Sequence, residues 1–352
     1  MNRFDYQRPS SVTEAVAAGA AHGAAFLGAG TNLLDLMKGG ITRPALLVDL
    51  NRLPGLDRIE TLANGDVRIG ALVRNSILAF DPGFAMRFPA VAEALLSGAS
   101  PQLRNAATAG GNLLQRTRCT YFYDTASACN RREPGSGCDA IAGENRLHAV
   151  LGWSDQCIAT HPSDFCVPLT ALGAVVEIEG LNGARQVPLV DLHRLPGDAP
   201  ERETMLAPGD LIVAIRLPAA SAAFAAHQRY IKVRERTSYA FAVVSAAAAL
   251  DIQDGRIAEA RLAFGGVAAK PWHAVEAEAL LRGEAPTRDA FERAAAAALA
   301  DAAPSGDNGF KIELARRTAV RALVRAAAGT PERLPPLPAS PFAVAAGEID
   351  HG

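Results

Sequence analysis

The sequence is poor in cysteine, in aromatic side chains and in net charge. The formal net charge is −2 across 352 residues, with an isoelectric point near 6.4. That balance gives no argument for a surface built for nucleic acid or anionic lipid. No apolar run approaches the roughly 20 residues of a membrane span. The most apolar early stretch, Val16–Gly30, is broken by His22 and four glycines. The N-terminus, MNRFDYQRP, has no charged region followed by an apolar one, so no signal peptide is expected. If the chain leaves the cytoplasm, something else must carry it. The low aromatic content and abundant alanine read as helix-rich packing. Hydrophobic residues at 49% and charged ones at 20% give a chain that can bury a core, and the length suits two domains.

Strand and helix alternate over residues 1–55. A helix is expected at Ser11–Ala21, a strand at Ala24–Leu27, a helix at Asn32–Met37 and a strand at Ala45–Asp49. That alternation favours a parallel or mixed sheet. Val67–Ile69 follows as a strand, with helices at Asn75–Phe80 and Ala90–Leu96. From Arg116 to His161 the texture becomes small, polar and turn-rich. A loop of that length in a compact domain needs something to hold it. Strands are then expected at Ala174–Glu179, Leu211–Leu217, Gln228–Val233 and Ala260–Gly265. Helices are expected at Ala240–Leu250, Trp272–Leu281, Arg288–Ala300 and Lys311–Ala328.

Two glycine turns stand out. Phe26–Leu34 reads FLGAGTNLL between a strand and a helix. Gly28 and Gly30 would let the backbone approach a phosphate, and Thr31 adds a hydroxyl. The third glycine of a dinucleotide fingerprint is absent, because position 33 is Leu33. The motif is thus another kind of phosphate turn or a plain tight turn. Thr108-Ala109-Gly110-Gly111-Asn112 is the second, an anion-binding turn or a hairpin or bulge. A bound pyrophosphate is the better single explanation for both together.

All five cysteines fall within 48 consecutive residues. Cys119, Cys129, Cys138 and Cys157 are separated by nine, eight and eighteen residues, without a CxxC pair. This differs from zinc knuckles and from the compact ferredoxin run, but a metal or cluster site, free thiols and disulfides all stay open. Cys166 sits in the apolar FCVPLTAL and reads as a core thiol.

FLGAGTNLL, TAGGN, the PGD-LI segment at Pro208–Ile212 and YIKVRERTSYAFAVVSAA at Tyr230–Ala247 together resemble the FAD-binding subunits of molybdenum hydroxylases, the xanthine dehydrogenase group. The likeness runs from about residue 3 to 328. CTYFYD and ACNRREPGSGC resemble one branch, the FAD subunits of bacterial periplasmic aldehyde oxidoreductases, which carry a 4Fe–4S cluster in this insertion. The resemblance implies an α+β chain. A PCMH, or vanillyl-alcohol-oxidase-type, FAD-binding domain of two α/β subdomains spans 1–221, with the iron–sulfur insertion at 116–161. A smaller α+β domain of the CO dehydrogenase flavoprotein C-terminal type spans 222–329. A proline-rich tail follows at 330–352.

The resemblance also implies site roles. Phe26, Leu27, Gly28, Ala29, Gly30, Thr31, Asn32, Leu33 and Leu34, with Thr108, Gly110, Gly111 and Asn112, would wrap the FAD pyrophosphate and ribose. Asp164 matches an acid that contacts FAD, Ile212 an aliphatic position beside the flavin ring, and Lys232 a lysine near its edge. Without the resemblance, Asp164 reads as a helix N-cap and Lys232 as an edge cation reaching for water. A cationic Lys232 near the flavin would favour an anionic reduced ring. Cys119, Cys129, Cys138 and Cys157 match the cluster ligands. Tyr239 departs from the pattern, standing where many relatives carry an acid.

The function implied is electron transfer. A molybdenum-cofactor large subunit oxidises an aldehyde, a small subunit carries two 2Fe–2S clusters, and this chain passes the electrons to an outside acceptor. Without a molybdenum-site signature, it is not expected to oxidise the aldehyde itself. The compartment implied is the periplasm, by co-export with a signal-bearing partner, with the cytoplasm as alternative. Rival readings are a zinc-stapled FAD oxidoreductase, a cofactor-free scaffold, and the FAD subunit of a xanthine dehydrogenase or hydroxybenzoyl-CoA reductase-like complex.

Overall fold

The computed structural model describes residues 1–331. The tail expected at 330–352 therefore falls outside the described residues from position 332 onward. Among the described residues the chain forms three sheets.

The first sheet is β1 (Asp5–Gln7), β2 (Ala24–Leu27) and β3 (Leu46–Asp49), in the order β1-β3-β2, with both pairings parallel. A helix at Val12–Gly19 crosses from β1 to β2. Ser11 caps it, its hydroxyl accepting from Glu14 N–H at 3.2 Å, while the Glu14 carboxylate accepts from Ser10 N–H at 2.8 Å. These bonds satisfy amides that a helix start leaves bare. The alternation read from residues 1–55 is this unit.

The second sheet is β4 (Ile59–Thr61), β5 (Val67–Gly70), β6 (Val175–Gly180), β7 (Gly183–Pro188) and β8 (Leu211–Leu217). It is antiparallel in the order β4-β5-β8-β6-β7. Its inner face packs Ile69, Val176 and Ile215 against Leu78, Val91 and Leu95 from helices Asn75–Phe80 and Pro89–Ser97. Each such fully buried aliphatic side chain contributes about 1.5–3 kcal/mol.

The third sheet is β9 (Gln228–Val233), β10 (Val244–Gln253), β11 (Arg256–Gly265) and β12 (Trp272–His273), antiparallel in the order β12-β11-β10-β9. Asp254 and Gly255, both at positive φ, make the tight β10–β11 turn. Helices Val275–Leu281, Arg288–Ala298 and Phe310–Ala327 contribute to the core over one face. The other face meets helices Pro89–Ser97 and Cys166–Ala171 through Ala90, Ala94, Val167, Ala171, Tyr230, Ala247 and Ala263.

Two expectations are overturned here. The helix expected at Ala240–Leu250 is strand β10. Its alanines favour helix intrinsically, but residues 244–250 are buried in the interior of the sheet, where small side chains let helices pack closely. The helix expected at Trp272–Leu281 begins only at Val275, because Trp272 and His273 pair with Phe264 and Ala263.

Residues 116–161 contain one short helix, Thr120–Tyr123, and otherwise turns and isolated bridges. Side-chain bonds to the main chain hold the stretch: Arg132 donates to the carbonyls of Tyr121 and Phe122 at 2.8 and 2.9 Å.

Candidate functional site

β2 ends at Leu27 and the first glycine turn begins. Gly30 has φ +76°, a conformation side chains disfavour. A Cβ on Gly28 would stand 3.1 Å from Thr108 Oγ1, so the two glycine turns touch. Asn32 occupies the cap position of helix Leu33–Lys38. Its Oδ1 accepts from Arg116 N–H at 2.9 Å, and its buried Nδ2 has no partner among the described residues. The second turn is not a hairpin. Thr108 caps the short helix Ala109–Leu113, its Oγ1 accepting from Gly111 N–H at 3.2 Å. A Cβ on Gly110 would come within 2.9 Å of Ala71, and one on Gly111 within 2.9 Å of Thr108 Oγ1. Asn112 Oδ1 accepts from the Ser163 hydroxyl at 2.8 Å.

A cavity of about 720 Å³ opens between these turns and the third sheet. It is lined by Thr31, Asn32, Gly111, Asn112, Asp164, Lys232 and Cys119 of the residues predicted from sequence, and by the 235–243 segment. Phe26–Gly30, Leu33, Leu34, Thr108 and Gly110 are not among its lining residues. Ile212 is 4% exposed, packed in the core of the second sheet and not among the lining residues.

Asp164 and Lys232 form a buried pair, Nζ to Oδ2 at 2.8 Å. The other Asp164 oxygen accepts from the Tyr230 hydroxyl at 2.6 Å. Lys232 Nζ also donates to Ser97 O at 3.2 Å. This corrects both residue-level expectations. Asp164 does not cap the following helix with its side chain; Ser163 Oγ accepts from Cys166 N–H instead. Lys232 does not reach for water, since its side chain is 4% exposed. Its charge is also not free to bias a flavin alone, because Asp164 balances it. Gly98 leaves room for the carboxylate: a Cβ there would stand 3.1 Å from Asp164 Oδ2. Burial first, then the Asp164 charge, drive the Tyr230 pKa well above its ordinary value, so its hydroxyl keeps its proton. Tyr230 was not found from sequence; the only signal was its two-residue offset from Lys232 on one strand face.

The cysteine stretch converges. All five thiols are free. Cys129 and Cys138 face each other across an antiparallel bridge, and Cys157 closes a turn with Ser154. Burial pushes the Cys119 thiol up to about 11, with the thiols of Cys129 and Cys157 adding to the effect. Burial likewise raises Cys138, with contributions from Cys157 and Cys129. Main-chain amides of Phe122 and Tyr121 point at the Cys119 sulfur, and those of Ala140 and Ile141 at the Cys138 sulfur. The Arg131 guanidinium, 5% exposed, hydrogen-bonds the Cys157 sulfur and pairs with Glu203 at 3.0 Å. His148 Nε2 lies 3.2 Å from Cys119 Sγ. Two buried cysteines and two half-buried ones, with donors at Cys119, Cys138 and Cys157, suit a group held by thiolates. Arg131 and His148 were missed, since their contacts cross 26 and 29 residues of irregular chain.

Among the described residues, one set of three His, Cys or acidic ligand atoms lies within 4.8 Å of one another: His161, Cys166 and His193. One nitrogen of each ring is hydrogen-bonded, while His161 Nε2 and His193 Nδ1 have no partner among the described residues. His193 Nε2 bonds Leu113 O at 2.8 Å, and Ser163 N–H donates to His161 Nδ1 at 3.4 Å, which leaves that ring's proton on Nε2. Cys166 is fully buried, its thiol pushed up to about 12. The core thiol read from sequence is found there.

Comparison with known proteins completes the description. The family described as FAD binding domain in molybdopterin dehydrogenase matches residues 2–220, and the CO dehydrogenase flavoprotein C-terminal domain matches 229–329. The chain is similar to the aldehyde oxidoreductase FAD-binding subunit PaoB of Escherichia coli (strain K12), 48% identical over 331 residues, 93% of this chain and 99% of that one. It is 30% identical to the carbon monoxide dehydrogenase medium chain of Afipia carboxidovorans, over 86% and 88% of the two chains. Among solved structures, carbon monoxide dehydrogenase from Hydrogenophaga pseudoflava superposes with a TM-score of 0.72 at 29% identity, covering 93% of this chain and 98% of that one.

Proposed function

We propose, for a chain that belongs to the family of FAD-binding subunits of molybdenum hydroxylases, that it is the flavoprotein subunit of an aldehyde oxidoreductase, carrying FAD and one 4Fe–4S cluster and passing electrons to an external acceptor. Its partners in this reading are a molybdenum-cofactor large subunit and a 2Fe–2S small subunit. The compartment in this reading is the periplasm, reached by co-export with a signal-bearing partner.

The observation that carries the reading is one cavity shared by three features. Thr31, Asn32, Gly111 and Asn112 line it from the glycine turns, Asp164 and Lys232 from the third-sheet side, and Cys119 from the cysteine stretch. The unpartnered Asn32 Nδ2 and the close glycines fit a pyrophosphate held by main chain and amide donors. Bound FAD would supply both two-electron and one-electron chemistry, and a cluster would supply one-electron chemistry. The chain's own part is to hold and tune. Asp164 fixes the Lys232 ammonium at the cavity wall as a donor without net charge. Arg131 and His148 donate to sulfurs of the cysteine set.

The thiols also bear on the zinc alternative. A single zinc ion needs sulfur–sulfur edges of about 3.8 Å, from bonds of about 2.3 Å. Among the described residues, no three of the four sulfurs come within 4.8 Å of one another, which favours a larger group. The test is Cys129→Ser in the purified complex. The expected result is loss of the reduced-cluster signal in electron paramagnetic resonance, with FAD absorbance largely kept. Unchanged cluster content would refute the ligand assignment.

A further inference from the structure

The cofactor cavity and the cysteine stretch meet at one hydrogen bond, between His148 and Cys119. The ring nitrogen Nε2 stands 3.2 Å from Sγ. Both residues line the 720 Å³ cavity, yet His148 as a whole is only 7% exposed.

The main chain around the ring is clamped from the C-terminal part of the molecule. The His148 carbonyl accepts from Lys311 Nζ at 2.7 Å and from Asn308 Nδ2 at 3.2 Å. Its N–H donates to Asn145 O at 2.9 Å. Asn145 Oδ1 in turn accepts from Asp307 N–H at 2.7 Å. These bonds fix the main chain that carries the ring.

We propose that His148 is a positioning residue that donates Nε2–H to the Cys119 sulfur of the cluster, holding that ligand at the cavity wall and raising the cluster's reduction potential. The proposal rests on the cluster reading above. An iron-bound cysteine sulfur has no proton to give, so the hydrogen bond exists only if the ring supplies one. The proton then sits on Nε2 and Nδ1 is bare. Consistent with this, Nδ1 is buried without a partner among the described residues. The donated hydrogen bond draws electron density from the sulfur and favours the reduced cluster, which is the direction of a higher potential. The two identified side-chain donors then differ in kind. Arg131 at Cys157 is a cation already balanced by Glu203, whereas His148 is an imidazole donor on the sulfur nearest the flavin cavity.

The test uses the intact complex with all cofactors loaded. His148→Phe removes the donor and keeps a flat ring; His148→Gln keeps an N–H at similar reach. The midpoint potential of the 4Fe–4S signal is read by redox titration under electron paramagnetic resonance, with iron, sulfide and FAD measured per chain. The expected result is a lower midpoint in His148→Phe at full iron and FAD, and a midpoint closer to the parent in His148→Gln. Loss of iron from the Phe variant alone supports the holding role. A second measurement needs no variant: with ¹⁵N-histidine incorporated, pulsed resonance of the reduced cluster should show a nitrogen coupling. A fully loaded Phe variant with an unshifted midpoint, or a parent without the coupling, overturns the proposal. A parent complex without iron overturns the cluster reading itself before any variant is compared.

Discussion

Lys232 Nζ lies 2.8 Å from Asp164 Oδ2 on the wall of the 720 Å³ cavity, with side chains 4% and 9% exposed. The pair joins a strand of the third sheet to the segment that follows the cysteine stretch, 68 residues apart in sequence. Removing one partner strands the other charge in a dry place, which typically costs about 3–5 kcal/mol. Asp164→Asn should therefore lower the melting temperature and the FAD content of the purified chain. Adding Lys232→Met should restore much of the stability without restoring FAD. A double variant no more stable than Asp164→Asn would contradict this account of the pair.

Lys311 is fully buried and donates to three carbonyls, Leu147, His148 and Gly266, at 2.9, 2.7 and 2.6 Å. Burial lowers its pKa to about 7, yet three acceptors use every ammonium proton. Lys311→Met leaves the Leu147 and Gly266 carbonyls bare, each at about 1–3 kcal/mol if water does not enter, and leaves the His148 carbonyl only its bond from Asn308 Nδ2. The expected result is a clear loss of stability in denaturant titration together with faster iron loss to a chelator. Stability loss with iron retention unchanged would separate Lys311 from the cysteine stretch.

Burial holds the His193 pKa at about 4, below its ordinary 6.5 in the unfolded chain. The unfolded state therefore binds the extra proton first as pH falls. Stability due to this group is full above about 6.5, declines between about 6.5 and 4, and stays flat below. The span is up to about 3 kcal/mol. His161 shifts in the same direction, also through burial. His193→Gln should flatten the urea midpoint across that window, and an equally steep dependence in the variant would count against the assignment.

The Cys166 thiol, pushed up to about 12 by burial, has a thiolate fraction of about three in ten thousand at pH 8.5. Iodoacetamide should leave it unmodified in the native protein and modify it after unfolding. Cys166→Ala should keep the iron content of the parent. Iron loss in that variant would move Cys166 into the ligand set.

Much of this was legible in the sequence where the signal was local. The strand–helix alternation of residues 1–55, the two glycine turns and the crowding of cysteines into residues 119–166 each need only neighbours along the chain. β10 was misread because an alanine run favours helix unless tertiary burial decides otherwise. Its neighbours β9 and β11 were read at least in part as strands, but that they pair on either side of it lies outside a window of eleven residues. Tyr230, Arg131 and His148 were missed for a related reason. What makes them part of the site is contact with residues 66, 26 and 29 positions away, and no periodicity encodes that. Asp164 and Lys232 were identified through family resemblance, but only the folded structure shows that they neutralise each other.

The central claim is that one chain carries FAD and a 4Fe–4S cluster side by side. Its most direct test is the ultraviolet–visible spectrum of the purified complex, with FAD, iron, acid-labile sulfide and zinc measured per copy of this chain after subtracting the 2Fe–2S content of the small subunit. The account predicts one FAD and one 4Fe–4S equivalent of iron and sulfide on this chain. Zinc in place of that iron, or a chain that carries FAD alone, would contradict it.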